Sequence, residues 1–382
     1  MRIVYAYDRI LPANAADCEQ AINTIAALSR QGADITLLLP RPVRSVAPTA
    51  EQLKAYYQVK GTFTVHGVPC HGLGWLVTRK ILAAQAMAKA LQHSSYDIVY
   101  TRNLITLVAM LSRGHLTAYD SHRAWPTHVP AMRPLLRWAM QHPCFIGGLF
   151  HSDYARQSYL QMGISEDKLV VAYNGFEPAR LDPRLSKIEA RRALGLPDEQ
   201  PIVTYTGHVN ATKGLGVILE MARRCPDFLW VLVGSESEGS IERRARSIHN
   251  VKIVPWQRFD NTVKYLYAAD ILCIPPSTAP LKFFGHTVLP LKIYLYLAAG
   301  RPIFAPRSSD LLELLRHNET AILTIPDKLD EIVTSLESLM ADVDLQRRLS
   351  ANALALSADL TWDQRAVHIL EFLHKRLLSH RP

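Results

Sequence analysis

Short apolar runs with no polar alternation, each followed by a segment of helical spacing, constrain this chain more than any other feature. In the first half such runs occupy residues 3–7, 34–39, 97–100, 116–119 and 145–150. Segments with helical periodicity fill 16–30, 78–92, 104–112, 132–141 and 154–162. A strand buried on both faces reads as a continuous apolar run, and strands alternating with helices are joined by crossovers. The expected fold is therefore α/β, with doubly wound parallel sheets. After a strand near 169 the pattern stops at Asn174-Gly175 and two prolines, then restarts with a helix over 187–194 and strands at 202–206, 229–233, 251–254 and 271–274. With 382 residues the chain is too long for one ordinary core. We read an N-terminal Rossmann-like domain over 1–183, a second over 184–360 and a terminal helix over 361–382. Two such domains in tandem place a cleft between the carboxyl edges of their sheets, where ligands of α/β proteins gather.

Residues 277–306, STAPLKFFGHTVLPLKIYLYLAAGRPIFAP, hold the densest chemistry. An apolar run leads into a Pro- and Gly-punctuated loop, a helix starts near Pro290, stops at Gly300 and gives way to a short strand. Proline suits a first helical turn because its φ is already set and its missing N–H has no partner to lose. Lys292 follows in that turn. The first turn has free N–H groups and the positive end of the helix dipole, so a cation there is opposed unless an anion neutralises both. A solvated lysine is the plain alternative.

The segments Leu289-Pro290-Leu291-Lys292 and Tyr296-Leu297-Ala298-Ala299-Gly300-Arg301-Pro302 resemble the retaining glycosyltransferases of family 4, which have the GT-B fold of two Rossmann-like domains facing a cleft. The resemblance implies that Leu289 and Lys292 meet the diphosphate of a nucleotide sugar. It assigns Gly285, His286, Thr287, Val288 and Leu295 to the donor sugar and ribose region. Family members carry glutamates where this chain has Thr287 and Leu295, and leucine cannot hydrogen-bond a ribose hydroxyl.

A second match follows the strand 202–206, at Gly207-His208-Val209-Asn210-Ala211-Thr212-Lys213-Gly214. Glycine permits a turn off the sheet edge and Lys213 stands before the next helix. By resemblance His208 and Lys213 clamp the diphosphate, with histidine replacing the usual arginine and its two-pronged fork. Trp256, Gln257 and Arg258 occupy the family's base-binding position, although a surface loop with a half-buried tryptophan explains them equally. The loop 8–17 lacks the family's glycine pair, so Asn14, Ala15 and Ala16 stand in its acceptor-side place. In the first domain the strand 116–119 ends in Asp120-Ser121-His122. A histidine at such an edge could hydrogen-bond a sugar or steady a departing diphosphate; the family has a comparable one, and Asp120 is a candidate to orient it. The terminal helix, in the family, crosses back to the first domain.

The formal charge is +9, with +6 on residues 1–183. That balance favours acidic partners: nucleotide phosphates or anionic lipid head groups. Residues 123–141 mix tryptophans, leucines and arginines, as core packing with solvated arginines or as an interfacial face for a membrane or lipid-linked acceptor. No interleaved basic and aromatic motif points to nucleic acid. Five dispersed cysteines and an Asp8 that breaks the first apolar run fit a reducing, cytoplasmic setting, and the basic first half is compatible with the inner face of a membrane. There is no GxxxxGK[ST] loop, HExxH or CxxC pair, and the resemblance implies neither metal nor cofactor beyond the donor as substrate. The expected activity is metal-independent, retaining transfer of a sugar to a glycan, lipid-linked or small-molecule acceptor in polysaccharide or envelope synthesis. A nucleotide-sugar 2-epimerase of the same fold, or a non-catalytic binding protein derived from it, are the rivals.

Overall fold

The computed structural model describes residues 1–70, 77–284 and 289–380, without the side chains of 283 and 284. The chain divides into two compact units: Met1–Gly175 with Trp362–Pro382, and Phe176–Thr361.

Unit 1 carries the strands β1 (Arg2–Ala6), β2 (Asp34–Pro42), β3 (Phe63–Cys70), β4 (Ile98–Thr101), β5 (Thr117–Ser121), β6 (Phe145–Phe150) and β7 (Leu169–Val171). They form a parallel sheet in the order β3-β2-β1-β4-β5-β6-β7. The order reverses between β1 and β4, and their carboxyl ends open a crevice of the kind that binds ligands in such sheets. Burial of both faces explains the runs: every residue of β4, β5 and β6 is buried. Among the elements the sequence reading did not mark are the helix Ala50–Tyr57 and β3. β3 is an edge strand whose residues alternate between buried and exposed and include Gly67 and Pro69, so no continuous apolar run marks it.

The helix Trp362–His380 belongs to unit 1. Arg30 pairs with Asp363 at 2.7 Å, and Arg376 Nε donates to Ile146 O at 2.9 Å while its guanidinium also pairs with Asp167. Phe372 lies so close to β6 that a Cβ on Gly147 would come within 2.6 Å of its ring.

Unit 2 contains β8 (Ile202–Thr206), β9 (Leu229–Ser235), β10 (Val251–Pro255), β11 (Ile271–Cys273), β12 (Ile303–Pro306) and β13 (Ile322–Thr324). Their order is β10-β9-β8-β11-β12-β13, again all parallel, with the reversal between β8 and β11. Its core gathers Trp230, Ile218, Leu219, Phe304, Ile332 and Leu336, all inaccessible. Each such aliphatic side chain contributes roughly 1.5–3 kcal/mol on burial. Both units are thus Rossmann-like, as the alternation predicts.

Candidate active site

At the carboxyl edge of unit 1's sheet, β5 delivers Asp120 into a fully buried polar cluster. Asp120 Oδ1 lies 2.6 Å from His151 Nε2, and Oδ2 accepts from Arg365 Nη2 at 2.9 Å and from Tyr100 Oη at 2.9 Å. Gln20 Nε2 stands 3.4 Å from the same oxygen. Burial penalises the Asp120 carboxylate, but His151 and Arg365 outweigh it and hold the pKa well below the usual range. His151 is pushed down to about 4, by burial first, with Asp120 opposing and Arg365 and Arg102 adding. Its partners assign the tautomer. Nε2–H donates to the carboxylate, leaving Nδ1 to accept from Asn174 Nδ2 at 3.2 Å. Arg365 also donates to Ala172 O and, at 3.1 Å, to Tyr173 O.

This geometry changes the role read for Asp120. Its hydrogen bonds go to His151, Arg365, Tyr100 and Gln20, so the imidazole it orients is His151, directly after β6, rather than His122. His122 is partly exposed beyond β5, with its ring centroid 6.0 Å from that of His151. Arg123 Nε donates to His122 Nε2 at 3.2 Å, so the ring proton sits on Nδ1. Burial, then Arg102, His151 and Arg123, hold its pKa well below the ordinary value, with Asp120 opposing. His122 is therefore a neutral imidazole with one N–H to donate. His151 carries the same sequence signal, a histidine directly after an apolar strand, that singled out His122. Arg365 carries none, because only the fold brings the last helix to β5.

The loop after β1 places Ala15 at the N-cap of the helix Ala16–Arg30, with no side-chain cap. Asn14 and Ala16 are exposed. Tyr57 Oη bridges Ala13 N and Ala13 O, at 2.9 Å each, and so fixes the loop that a glycine pair would leave free. Asp17 in the first turn takes Arg9 at 2.9 Å.

In unit 2 the corresponding edge is built by two glycines. Gly207 follows β8 with φ +128° and Gly234 lies in β9 with φ +120°, both in the region closed to side chains. A Cβ on Gly234 would stand 2.4 Å from Gly207 O, and one on Gly207 would stand 2.9 Å from Lys292 Nζ. The backbone at Gly207 thus passes directly under the lysine. The helix Lys292–Ala299 begins at Lys292 itself, just past the start expected near Pro290, and Ile293 N donates back to Pro290 O at 3.0 Å. Lys292 Nζ lies 3.6 Å from the centroid of the Tyr205 ring. Its pKa is well below the ordinary lysine value through burial first and the charge of Lys213 second, with Cys273 opposing. Lys213, in the turn Ala211–Lys213, is lowered by burial. Two partly buried ammonium groups therefore act on one another at the carboxyl end of β8, and an anion would relieve both.

The remaining assignments are more scattered. His208 Nδ1 lies 3.5 Å from Glu236 Oε2, so a carboxylate faces this imidazole. Leu289 is buried, and Leu295 is partly buried on the helix begun by Lys292. Trp256 is 43% exposed after β10, with its backbone N–H donating to Ser235 O at 2.8 Å, and Arg258 is the N-cap of the helix Phe259–Ala268. Gln257 accepts from Asn261 Nδ2. Gly285, His286, Thr287 and Val288 lie outside the described residues. Among the described residues no group of three or more His, Cys, Asp or Glu is placed to hold a metal, and no helix is long and apolar enough to cross a membrane.

Residues 186–355, all in unit 2, match the family model of glycosyl transferases group 1. The D-inositol 3-phosphate glycosyltransferase of Nocardia farcinica is 26% identical over 235 residues, covering 58% of this chain and 50% of the relative. The chain spans about half the length of curated relatives such as this one. Sucrose-phosphate synthase from Thermosynechococcus elongatus superposes with a TM-score of 0.78 at 16% identity, over 100% of both chains. HepE of Anabaena in complex with UDP-glucose gives 0.72 at 17% identity, over 98% of this chain and 100% of that one. The glycine-backed lysine pair lies inside the matched segment and the superposition runs the length of the chain: residues 186–355 match the glycosyl transferases group 1, and the whole chain has the GT-B fold.

Proposed function

We propose that this protein is a glycosyltransferase that uses a nucleoside diphosphate sugar as donor. The observation that carries the reading is Lys292, a partly buried ammonium at the start of a helix, over Gly207 and coupled to Lys213. A diphosphate supplies the charge that these two groups and the helix N-terminus lack. The match to group 1 glycosyl transferases and the UDP-glucose held by HepE support the same donor class.

In this reading Lys213 and Lys292 bind the diphosphate and stabilise the charge that develops on it as the glycosidic bond breaks. They do so in the place a metal would otherwise take, and transfer proceeds with retention. The neutral His122 is the group we assign to a hydroxyl of the transferred sugar, through Nδ1–H. Trp256 and Arg258 are assigned to the base. Leu295 leaves the ribose hydroxyls without the usual carboxylate. For the acceptor we propose a glycan or lipid-linked molecule of envelope polysaccharide synthesis, met at an anionic membrane. Leu135 and Trp138, 41% and 42% exposed on the helix Arg133–Gln141 beside Arg133 and Arg137, support that association.

The test is a thermal-shift panel with UDP, GDP, ADP, TDP and CDP on the wild type, Lys213→Ala and Lys292→Ala. A nucleotide at 100 times its Kd stabilises the native state by about 2.7 kcal/mol. One diphosphate should stand out and each substitution should abolish its effect. If no nucleotide shifts melting, the donor site is lost and the reading fails; saturable binding without turnover against any sugar donor would leave a binding protein.

A further inference from the structure

Unit 2 has a second concentration of positive charge, at the opposite edge of its sheet. A cavity of about 430 Å³ is lined by Arg184, Lys187, Tyr267, Gly300, Arg301 and Leu354, among others. Tyr267 and Arg301 come just before β11 and β12, so the cavity sits at the amino edge, whereas Lys213 and Lys292 follow the carboxyl ends. Its size falls in the range of small-molecule sites, roughly 300–1,000 Å³.

Charge in its walls is unbalanced. No acid is among these lining residues; Glu189 Oε2 accepts from Ser186 N at 2.8 Å, Asp182 acts on Tyr267, and Asp270 has both its oxygens taken. Oδ1 pairs with Lys187 at 2.6 Å; Oδ2 receives Arg191 Nη2 and, at 2.7 Å, Ile202 N. Arg191 is inaccessible and spends its other nitrogens on Ala268 O, Pro197 O and Asp198 O. That leaves Arg184 and Arg301, whose carbonyl acceptors are at helix ends. Arg184 Nη2 donates to Ala298 O at 2.6 Å, and Arg301 Nε and Nη2 to Tyr267 O at 3.2 and 2.8 Å. Capping helix carboxyl ends explains why arginines stand here. It does not explain why both guanidinium groups flank an open cavity. Burial lowers the pKa of Arg301 and Arg184 and Arg191 add to it, with Asp270 and Tyr267 opposing.

We propose that this cavity is a second anion site that takes a small phosphate monoester of sugar-phosphate size. Paired guanidinium forks match phosphate oxygens in geometry as well as charge. The apolar faces of Leu354, Ala299 and Ala351 and the ring of Tyr267 leave room for a carbon skeleton beside the phosphate. The helix Lys292–Ala299, about 12 Å long at 1.5 Å per residue, ends at this cavity and begins at the other anion site. Occupancy is therefore expected to alter nucleotide affinity, since both ligands brace the same helix.

Isothermal titration of the intact chain with glucose 6-phosphate and with inorganic phosphate tests this. Glucose 6-phosphate should bind the wild type and the Lys213→Ala, Lys292→Ala double variant alike, so the outcome is independent of the donor reading. Ala351→Glu, which breaks no bond and brings a negative charge to the rim, should weaken binding about tenfold or more, and Ala351→Gln much less. Arg301→Lys, keeping the charge but losing the fork, should weaken it several-fold. The proposal is overturned if neither Ala351→Glu nor Arg301→Lys changes binding, or if the double lysine variant abolishes it. Absence of binding at about 10 mM ligand would also overturn it.

Discussion

Replacing Arg365 by methionine tests the buried cluster that ties the last helix to β5. The guanidinium and the Asp120 carboxylate are 1% and 0% exposed and 2.9 Å apart. Methionine fills much of the volume but leaves an anion in the core, with only His151, Tyr100 and Gln20 to satisfy it. Ala172 O and Tyr173 O lose their donor as well. Breaking a buried pair by removing one partner costs roughly 3–5 kcal/mol. For a unit of this size a loss of that order lowers Tm by roughly 2–4 °C per kcal/mol, so the transition of unit 1 should fall by roughly 6–20 °C. Differential scanning calorimetry reads it, and a separate transition of unit 2 should stay in place. Adding Asp120→Asn removes the stranded charge and should restore more than half of the loss, as expected when two groups share one interaction. The reasoning is refuted if Arg365→Met alone moves Tm by less than about 2 °C, or if the double variant melts no higher than the single one.

Acid should weaken unit 1 early. His151 has a folded pKa of about 4 against 6.5 in the unfolded chain, so its contribution is complete above pH 6.5 and lost as pH falls toward 4. That amounts to roughly 3 kcal/mol at most, with His122 acting in the same direction; melting scans between pH 7.5 and 4.5 on wild type and His151→Gln measure it. Asp120, whose pKa is depressed, adds its loss only at still lower pH. Gly234→Ala forces a side chain to φ +120° and within 2.4 Å of Gly207 O, and should cost roughly 3 kcal/mol or more in chemical denaturation. Lys292→Met should abolish diphosphate binding yet raise the ligand-free Tm, because it removes a charge that burial and Lys213 both oppose; a lower Tm would contradict the assignment.

The sequence by itself determined the class of fold. Strands buried on both faces must be apolar throughout, and such runs at 98–101, 145–150 and 202–206 leave a parallel, helix-covered sheet as the outcome. It also located Lys213 and Lys292, since a glycine turn and a proline-led helix are local devices readable within a few residues. It missed β3, where an edge strand needs only alternation, and β13, three residues long. Only the tertiary structure decided which groups meet. Asp120 was legible as a strand-end acid, but its partners His151 and Arg365 come from the turn after another strand and from a helix more than two hundred residues away. The basic cavity was equally invisible, because Arg184, Lys187, Tyr267 and Arg301 become neighbours only when the helix ends and strand starts of unit 2 converge. Periodicity and caps act over a few residues and survive in the sequence. Burial, charge coupling and cavity shape depend on elements far apart in the chain, and exist only once those elements pack.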